Sequence, residues 1–365
     1  MIKVLHGADF HLDSPFDALP EEKAVLRRKE QRKLLDNMAE LANREKVDAV
    51  LLAGDLLDSD KSYYETGEAL IRAFEKISAP VFIAPGNHDY YHKRSPWAAL
   101  RLPQHVHVFT SPEPEAVEIA GGKGVIWGAA FPAPRSPSLL AGFPGIERKR
   151  EIHIMALHGD VGGEDSYYNP ITPQQIAATG LHYLALGHQH SYSGLLKAGD
   201  TYYAYPGTPE GRGFDETGPR GVILAEIERG LTEIRPVSLG GRQYRRLEVN
   251  LEGKHNIRDA LKKALPLNTK RDIFQIVLTG EFDGKLDLET MERELEDHFF
   301  HVVLRDETRI PRDIWAQAEE DTLRGLFLRK MRDRYEAGDE KERETVMFAI
   351  RYALDALENR EQWRT

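Results

Sequence analysis

The sequence predicts an α/β fold in which two mixed sheets pack face to face between outer helices, an αββα sandwich. Two observations predict it. Near the N-terminus, the apolar segments IKVLHGAD, VDAVLLAGD and APVFIAPGNHD are separated by segments with helical spacing of apolar residues. After His107 the apolar segments are shorter and are broken by Gly and Pro, from EAVEIA to LTEIRPVSL. These later segments are expected to form a second sheet packed on the first.

Two helices are expected to connect the first three strands. The first has apolar residues at helical spacing, and the second runs from about Glu65 to Ile77. Right-handed crossovers through these helices would make the three strands parallel. All three strands run out into polar residues at their carboxyl ends, the edge at which open α/β sheets bind ligands. The apolar residues of the first helix are Val25, Leu34, Leu35, Met38 and Leu41.

The chain is expected to form three regions. Residues 1–240 would hold the sandwich, and residues 241–310 would form a small α/β capping domain with the order strand, helix, strand, helix, strand. Residues 311–365 are expected to be helical, with apolar stripes at helical spacing. The stripes fit either a hairpin packed on its own chain or a docking surface for a partner.

Composition limits the chemistry that the chain can perform. The 365 residues carry a net charge of -10 and include no cysteine. Disulfides and thiolate metal sites are therefore excluded, and His, Asp, Glu and Asn are left as the metal ligands. No apolar run is long enough to span a membrane and no secretory signal is evident, so a cytoplasmic protein without membrane attachment is expected. The negative charge argues against a wholly basic, nucleic-acid-binding surface.

Residues of the type that bind metals follow five strands in the same way. The segments GADFH, LAGDLLD, PGNHD, ALHGD and LGHQH each place His, Asp or Asn directly after an apolar run. A glycine in each segment lets the backbone turn, so that the side chains can face one another. One such segment would be weak evidence, because histidines often line a core without binding anything. Five in order predict a metal centre.

This ordered series resembles the calcineurin-like metallophosphoesterase superfamily. The segments HGADFHLDSPF and YPGTPEGRGFDETGPRGVILAEI, with the small α/β cap and the helical tail, resemble its DNA-repair exonuclease branch, the SbcD-like and in particular the YhaO-like proteins. The resemblance implies two divalent ions, with manganese favoured and iron or zinc as alternatives. The implied ligands are Asp9, His11 and His190 for one ion, Asn87, His158 and His188 for the other, and Asp55 as a bridge between both.

The resemblance also assigns two residues to catalysis. His88 would contact the scissile phosphate and protonate the leaving oxygen, and Asp89 would orient its ring through a hydrogen bond. Asp58 stands where some members of the branch have a histidine, so a phosphate contact made by that histidine would be absent. Asp58 and Asp13 are expected to cap helices or to hold ligand imidazoles in place. His6 is expected to lie in the core or to support a ligand.

The implied function is a metal-dependent DNA nuclease of DNA repair, an exonuclease or an endonuclease. A hydroxide between two ions would attack phosphorus in line. Two other functions stay open: a small-molecule phosphodiesterase or phosphatase on the same metal centre, and a non-catalytic scaffold for an ATPase. By the same resemblance, the expected partners are DNA, a second copy of the chain in a homodimer, and an SMC-like coiled-coil ATPase of the SbcC or YhaN kind.

Overall fold

A computed structural model describes residues 1–147, 151–163, 165–254, 256–267, 269–282, 286–310 and 312–361. The chain divides into two compact units, Met1–Tyr244 and Arg245–Thr365. Unit 1 contains, in chain order, β1 (Ile2–Gly7), α1 (Glu21–Glu45), β2 (Ala49–Leu52), α2 (Tyr64–Lys76), β3 (Val81–Ile83), α3 (Pro96–Ala99), β4 (Val106–Val108), β5 (Glu115–Ile119), β6 (Gly124–Gly128), β7 (Ile152–His158), β8 (Asp160–Val161), β9 (Pro170–Ile171), α4 (Pro173–Ala178), β10 (Tyr183–Gly187), β11 (Leu196–Ala198), β12 (Thr201–Ala204), β13 (Val222–Ile227) and β14 (Thr232–Val237).

The first sheet of unit 1 has the strand order β14-β13-β1-β2-β3-β4. Strands β1 to β4 are parallel, as the predicted crossovers require. Strands β13 and β14 were expected in the second sheet, and that prediction was wrong. β13 pairs antiparallel with β1, with Ile2 opposite Ile227, and β14 pairs antiparallel with β13. This pairing covers the edge of β1 that β2 leaves open.

The second sheet has the order β11-β12-β10-β7-β6-β5, with β6, β7, β10 and β12 parallel to their neighbours in this series. An apolar layer between the sheets includes Val4, Leu51 and Phe82 from the first sheet and Ile154 and Tyr183 from the second. The outer face of each sheet is covered by helices. The predicted α/β sandwich is therefore confirmed.

The helices pack on the apolar residues that each sheet directs away from the other sheet. Leu35 and Met38 of α1 and Phe74 of α2 are completely buried, in a cluster with the outward residues of β1, β2 and β3. Ile176 of α4 is buried in a corresponding cluster on the second sheet. Val25 was expected on the buried stripe of α1, but it is 52% exposed and Arg27 is buried instead. An ion pair with Glu210 explains the burial of Arg27, as described below.

Unit 2 contains a three-stranded sheet and a group of helices. Its elements are β15 (Tyr244–Asn250, beginning at the last residue of unit 1), α5 (Ile257–Ala264), β16 (Ile273–Thr279), α6 (Leu288–Leu295), β17 (His301–Asp306), a 3-10 segment (Arg312–Glu319), α7 (Leu323–Ala337) and α8 (Glu340–Glu361). Strands β16 and β17 are parallel. Leu328 of α7 packs with Ile350 and Leu354 of α8 in a separate apolar cluster. The finer division of this unit at residue 310 stays a prediction.

Among the described residues, every helix is too short or too polar to cross a membrane.

Candidate metal centre

Five parallel strands bring the predicted ligands to one place in unit 1. In the first sheet, β1 runs into Asp9 and His11, β2 into Asp55, and β3 into Asn87. In the second sheet, β7 ends at His158, and β10 runs into His188 and His190. Parallel strands of one sheet end at a common edge, and the two sheets pack face to face, so residues from distant parts of the chain meet there.

The distances show that these side chains face one another. His158 Nε2 lies 2.9 Å from Asn87 Oδ1 and 3.2 Å from Asp55 Oδ2. His11 Nε2 lies 3.2 Å from His190 Nε2 and 3.9 Å from Asp55 Oδ2. Donor atoms of Asp9, His11 and His190 lie within 4.8 Å of one another, as do those of Asp9, Asp55 and His158.

His188 joins this group through its ring. The ring centroid lies 5.3 Å from that of His158, and the backbone N–H of His188 donates to both carboxylate oxygens of Asp9 at 3.1 Å. The structure thus brings all seven predicted ligand residues together.

The backbone is strained where it carries these side chains. Asp9, His11, Asp55 and His188 have φ angles of 54°, 43°, 52° and 110°, although none is glycine. Such conformations cost about 1–3 kcal/mol each and persist only where the surrounding structure imposes them. Strain of this kind is concentrated at functional sites.

Two glycines make room for the ligands. A Cβ on Gly86 would lie 2.2 Å from Asp55 Oδ1, and one on Gly54, where φ is +88°, would lie 2.5 Å from His158 Nδ1. The turns after β2 and β3 therefore approach the ligands so closely that only glycine fits.

Hydrogen bonds determine which ring nitrogens are available to an ion. His11 Nδ1 lies 3.0 Å from Asp58 Oδ1, His190 Nδ1 lies 2.7 Å from Glu216 Oε1, and His158 Nδ1 lies 3.0 Å from the carbonyl oxygen of Ala53. Because each of these oxygens accepts, each Nδ1 donates its proton. The Nε2 atoms of His11 and His190 then carry a lone pair, whereas the Nε2 atom of His158, whose pKa is raised to about 9, carries a second proton until an ion displaces it.

The lone pairs of His11 and His190 therefore face each other. The two Nε2 atoms meet at 3.2 Å, and the Nε2 atom of His158 faces the oxygens of Asn87 and Asp55. Facing lone pairs repel one another unless a proton or a cation lies between them. His, Asp and Asn donors suit divalent first-row metals, so this donor set fits a metal ion.

Burial and neighbouring charges shift the pKa values in this group. Burial raises the pKa of Asp9 to about 7 and lowers the pKa values of His11 and His188 to about 4. For His158, burial lowers the pKa, but the carboxylates of Asp55 and Asp9 outweigh it and raise the pKa to about 9. Burial raises the pKa of Asp55, but the neighbouring imidazoles, His158 first, bring it well below its ordinary range.

The structure corrects one predicted contact. The Asp89 carboxylate accepts backbone N–H groups of Gly86, Asp55 and Leu56 at 2.8, 3.1 and 2.9 Å, and it is completely buried. It therefore ties the turn after β3 to the turn after β2, and it does not orient His88 as predicted. The turn directs these consecutive side chains to opposite sides, with Asp89 towards the protein interior and His88 towards solvent.

His88 lies beside the candidate ligands at the open side of the centre. Its ring meets that of His11 edge-on, with 4.8 Å between centroids. Its Nδ1 lies 2.9 Å from the carbonyl oxygen of Asp58, to which it donates. The Nε2 atom of His88 is therefore the one that can give or take a proton.

Residues outside the strand-end motifs complete the centre. Sequence reasoning assigned no role to Arg212 or Glu216, although the segment containing them was noted for its resemblance. Neither residue directly follows a strand, and the other residues were found by that pattern.

Asp58 holds His11, as one of its two predicted roles requires, whereas Asp13 accepts from the Tyr63 backbone at 2.9 Å before α2.

His6 lies between the sheets, as expected of a core residue. Its Nδ1 lies 3.0 Å from the Tyr183 hydroxyl, and its Nε2 lies 3.1 Å from the Leu186 carbonyl oxygen. Burial lowers its pKa to about 3, so the ring is neutral. It links β1 of the first sheet to β10 of the second.

Fold and site together define an α/β sandwich with a candidate metal centre. The chain belongs to the calcineurin-like phosphoesterase family, whose model matches residues 2–192. This confirms the predicted superfamily and makes the chain a member of a family of phosphoester hydrolases.

Three relatives extend the comparison. The metallophosphoesterase YhaO of Bacillus subtilis (strain 168), described as uncharacterized, is 32% identical over 237 residues, which cover 62% of this chain and 57% of YhaO. The DNA double-strand break repair protein Mre11 of Aeropyrum pernix is 27% identical over 283 residues, covering 73% of this chain and 68% of Mre11. One component of the nuclease SbcCD of Bacillus subtilis is 25% identical over 272 residues, covering 63% of this chain and 67% of that component. The chain thus spans little more than half the length of YhaO.

Proposed function

We propose that the chain is a two-metal phosphodiesterase that cleaves DNA. The observation that carries the proposal is the convergence of seven donor side chains from five strands of two sheets at one end of the sandwich, where the Nε2 atoms of His11 and His190 face each other. One ion would be held by Asp9, His11 and His190, and another by Asn87, His158 and His188. Asp55, whose Oδ2 lies near both groups of histidines, would bridge them.

We favour Mn²⁺ as the ion, with iron or zinc as alternatives, because His, Asp and Asn donors suit all three. Divalent ions at this centre supply Lewis acidity and lower the pKa of bound water. The chain contributes the orientation of the donors, because Asp58, Glu216 and Ala53 hold the histidine rings. His88 contributes an exposed imidazole whose Nε2 can protonate a leaving oxygen.

Similarity to DNA repair proteins supports DNA as the substrate. The family model ends at residue 192, whereas the similarity to Mre11 covers 73% of the chain. That similarity therefore includes sequence outside the part that the phosphoesterase family model matches. A small-molecule phosphodiester is the alternative substrate, and the net charge of -10 favours it, because a polyanion such as DNA is repelled by an acidic protein.

A cleavage assay tests this proposal. Purified chain with Mn²⁺ is expected to degrade end-labelled duplex or single-stranded DNA, and EDTA is expected to abolish the reaction. If the chain cleaves bis-nitrophenyl phosphate but leaves the DNA intact, the result would instead support the small-molecule alternative. If metal analysis finds both sites empty and neither substrate is cleaved, the scaffold interpretation replaces both.

We further propose a homodimer that associates with an SMC-like coiled-coil ATPase. The relative named as one component of the nuclease SbcCD supports an assembly of more than one kind of chain. On α8, Phe348 and Tyr352 are 65% and 69% exposed and stack on each other, which provides an apolar surface for a partner. Light scattering of the chain alone and with a co-expressed ATPase tests both associations.

The Gly86→Ala variant is expected to bind Mn²⁺ at least about tenfold more weakly than the wild type. The new Cβ would lie 2.2 Å from Asp55 Oδ1, so the proposed bridging carboxylate would have to move. Calorimetric titration with Mn²⁺ measures the change. Gly142→Ala is the control for the general cost of replacing a glycine: its Cβ would meet nothing within 4 Å, its φ of +80° strains the backbone, and it is expected to bind Mn²⁺ as the wild type does. Unchanged binding by Gly86→Ala would show that the position of Asp55 is unimportant.

Binding of Mn²⁺ is expected to weaken as the pH falls. His158, with a pKa of about 9, is protonated at neutral pH, and an ion that takes its Nε2 must displace that proton. Between pH 9 and pH 7 we expect about a tenfold loss of affinity per pH unit, because one proton is released. Below pH 7 the loss becomes steeper, because Asp9, with a pKa of about 7, also binds a proton.

Titrations with Mn²⁺ at several pH values, in buffers of different ionisation enthalpy, give both the affinity and the number of protons released. An affinity that is constant between pH 7 and pH 9 would contradict the assignment of His158 as a ligand.

A further inference from the structure

Two of the proposed ligand histidines are held by carboxylates. His11 Nδ1 donates to Asp58 Oδ1 at 3.0 Å, and His190 Nδ1 donates to Glu216 Oε1 at 2.7 Å. His158, by contrast, donates to a backbone carbonyl. A hydrogen bond to a charged acceptor is stronger than one to a neutral acceptor, and it makes the imidazole a better ligand. The two carboxylates therefore distinguish the side of the centre with His11 and His190 from the side with His158.

One guanidinium group joins these two carboxylates. Arg212 donates from Nη1 to Asp58 Oδ1 at 3.2 Å and from Nη2 to Glu216 Oε1 at 3.0 Å. Its backbone N–H donates to the other Glu216 oxygen at 2.9 Å. Each carboxylate oxygen that accepts from a ligand histidine thus also accepts from Arg212. Because the donors of a guanidinium lie in a rigid plane, Arg212 sets the separation of the two carboxylates.

The segment that carries Arg212 is anchored on both sides. Before it, the buried Glu210 accepts from Arg27 of α1 at 2.7 Å, and the Arg27 side chain is also completely buried. After it, Arg220 donates to the Glu216 carbonyl at 3.0 Å and to the Thr208 hydroxyl at 2.9 Å. The position of Arg212 is therefore imposed by the fold.

The negative charges of the two carboxylates also require a cation between them. Asp58 and Glu216 bring two negative charges close to each other behind the histidines, and Arg212 supplies the positive charge between them. The Arg212 side chain is only 21% exposed, so water screens these charges poorly. Without the guanidinium, repulsion would favour separation of the carboxylates, and the rings that they hold would turn with them.

We propose that Arg212 is a positioning residue that holds Asp58 and Glu216, and through them His11 and His190, in the geometry that binds one of the two ions. The inference rests on the proposed metal centre and adds an asymmetry to it. The ion of Asp9, His11 and His190 depends on Arg212, whereas the ion of Asn87, His158 and His188 does not. Arg212 Nη2 also lies 3.1 Å from His190 Nδ1, so Arg212 supports that ring both through Glu216 and by direct contact, and it leaves the chemistry to the ligands.

Titration of the full chain with Mn²⁺ tests the inference. The free ion is followed by its electron paramagnetic resonance signal, and the two binding steps are resolved by calorimetry. In Arg212→Gln we expect one binding step to weaken by about 10- to 100-fold, with the other little changed. Arg212→Lys is expected to lie between this variant and the wild type, because an ammonium keeps the charge but cannot span both carboxylates in a fixed plane. It also serves as the second variant if Arg212→Gln fails to fold.

Arg28→Gln is the matched control. Arg28 is 15% exposed and forms an ion pair with Glu21 at 3.2 Å, so its loss removes a similar interaction that involves neither the ligand histidines nor the segment of Arg212. It is expected to bind Mn²⁺ as the wild type does. Visible spectra of the Co²⁺-loaded proteins provide a separate readout of ligand geometry, and only the Arg212 variants are expected to change them.

Three results would overturn the inference. They are wild-type binding by Arg212→Gln, an equal loss in Arg28→Gln, and an equal weakening of both binding steps in Arg212→Gln. A wild-type chain that binds no divalent ion would overturn the proposed function itself, and the inference with it. The titration of the wild type therefore separates failure of the proposed function from failure of the inference alone.

Discussion

Asp55→Asn is expected to reduce phosphodiester cleavage by about a thousandfold or more. This factor corresponds to a loss of about 4 kcal/mol of transition-state stabilisation. The substitution preserves the shape of the side chain but removes the negative charge proposed to bridge two cations. Asp55 is 2% exposed, and its Oδ2 lies 3.2 Å from His158 Nε2 and 3.9 Å from His11 Nε2. No other carboxylate among the described residues lies this close to both histidines.

Steady-state cleavage and metal analysis of the same preparation measure this effect. The variant is expected to bind fewer than two ions, whereas Asp17→Asn, at an exposed position, is expected to match the wild type. An Asp55→Asn protein with two tightly bound ions and nearly full activity would refute the bridging role.

His88→Ala is expected to lower kcat for DNA cleavage by about 10²- to 10⁴-fold, the contribution typical of a general acid, without loss of bound metal. The exposed ring lies beside His11 without being one of the proposed ligands, and its Nδ1 is committed to the Asp58 carbonyl. Its removal should therefore affect proton transfer and leave the metal ligands in place.

The leaving group provides a sharper readout for His88. Nitrophenolate is a stable anion that departs without a proton, so His88→Ala should slow cleavage of a nitrophenyl ester much less than cleavage of DNA. His92→Ala, a partly exposed histidine in the same connection, is the control. Equal losses on the two substrates would argue against a role for His88 in protonating the leaving oxygen.

The part of the fold that sequence reasoning predicted well is the part that depends on local pattern. The apolar runs of β1, β2 and β3 and the helices between them imply parallel strands, and parallel strands imply a common edge. Ligand-type residues directly after those strands then had to meet, as His11 and Asp55 do, with 3.9 Å between His11 Nε2 and Asp55 Oδ2.

Pairing between distant segments could not be predicted in the same way. Strand β13 has an apolar pattern that suits either sheet, and its place beside β1 is set by the open edge of that strand. Val25 was grouped with the apolar residues of α1, but it lies two residues, about 200° around the helix, from the buried Arg27 and therefore faces solvent. Such choices depend on contacts across the whole fold.

Side-chain direction within turns was the other source of error. Asp89 was expected to hold its neighbour His88, but the turn directs one inward and the other outward. Glu216 and Arg212 were overlooked because they approach the centre from a connecting segment without a strand ending directly before them. Their role follows from hydrogen-bond geometry, which residue spacing does not contain.

Anomalous diffraction at the manganese absorption edge, from crystals grown with Mn²⁺, is the most decisive test of the proposed two-metal centre. We expect two anomalous peaks about 3.5 to 4 Å apart, with the Asp55 carboxylate between them. A single peak, peaks away from this sheet edge, or no peak in a preparation that cleaves phosphodiesters would contradict the two-metal centre.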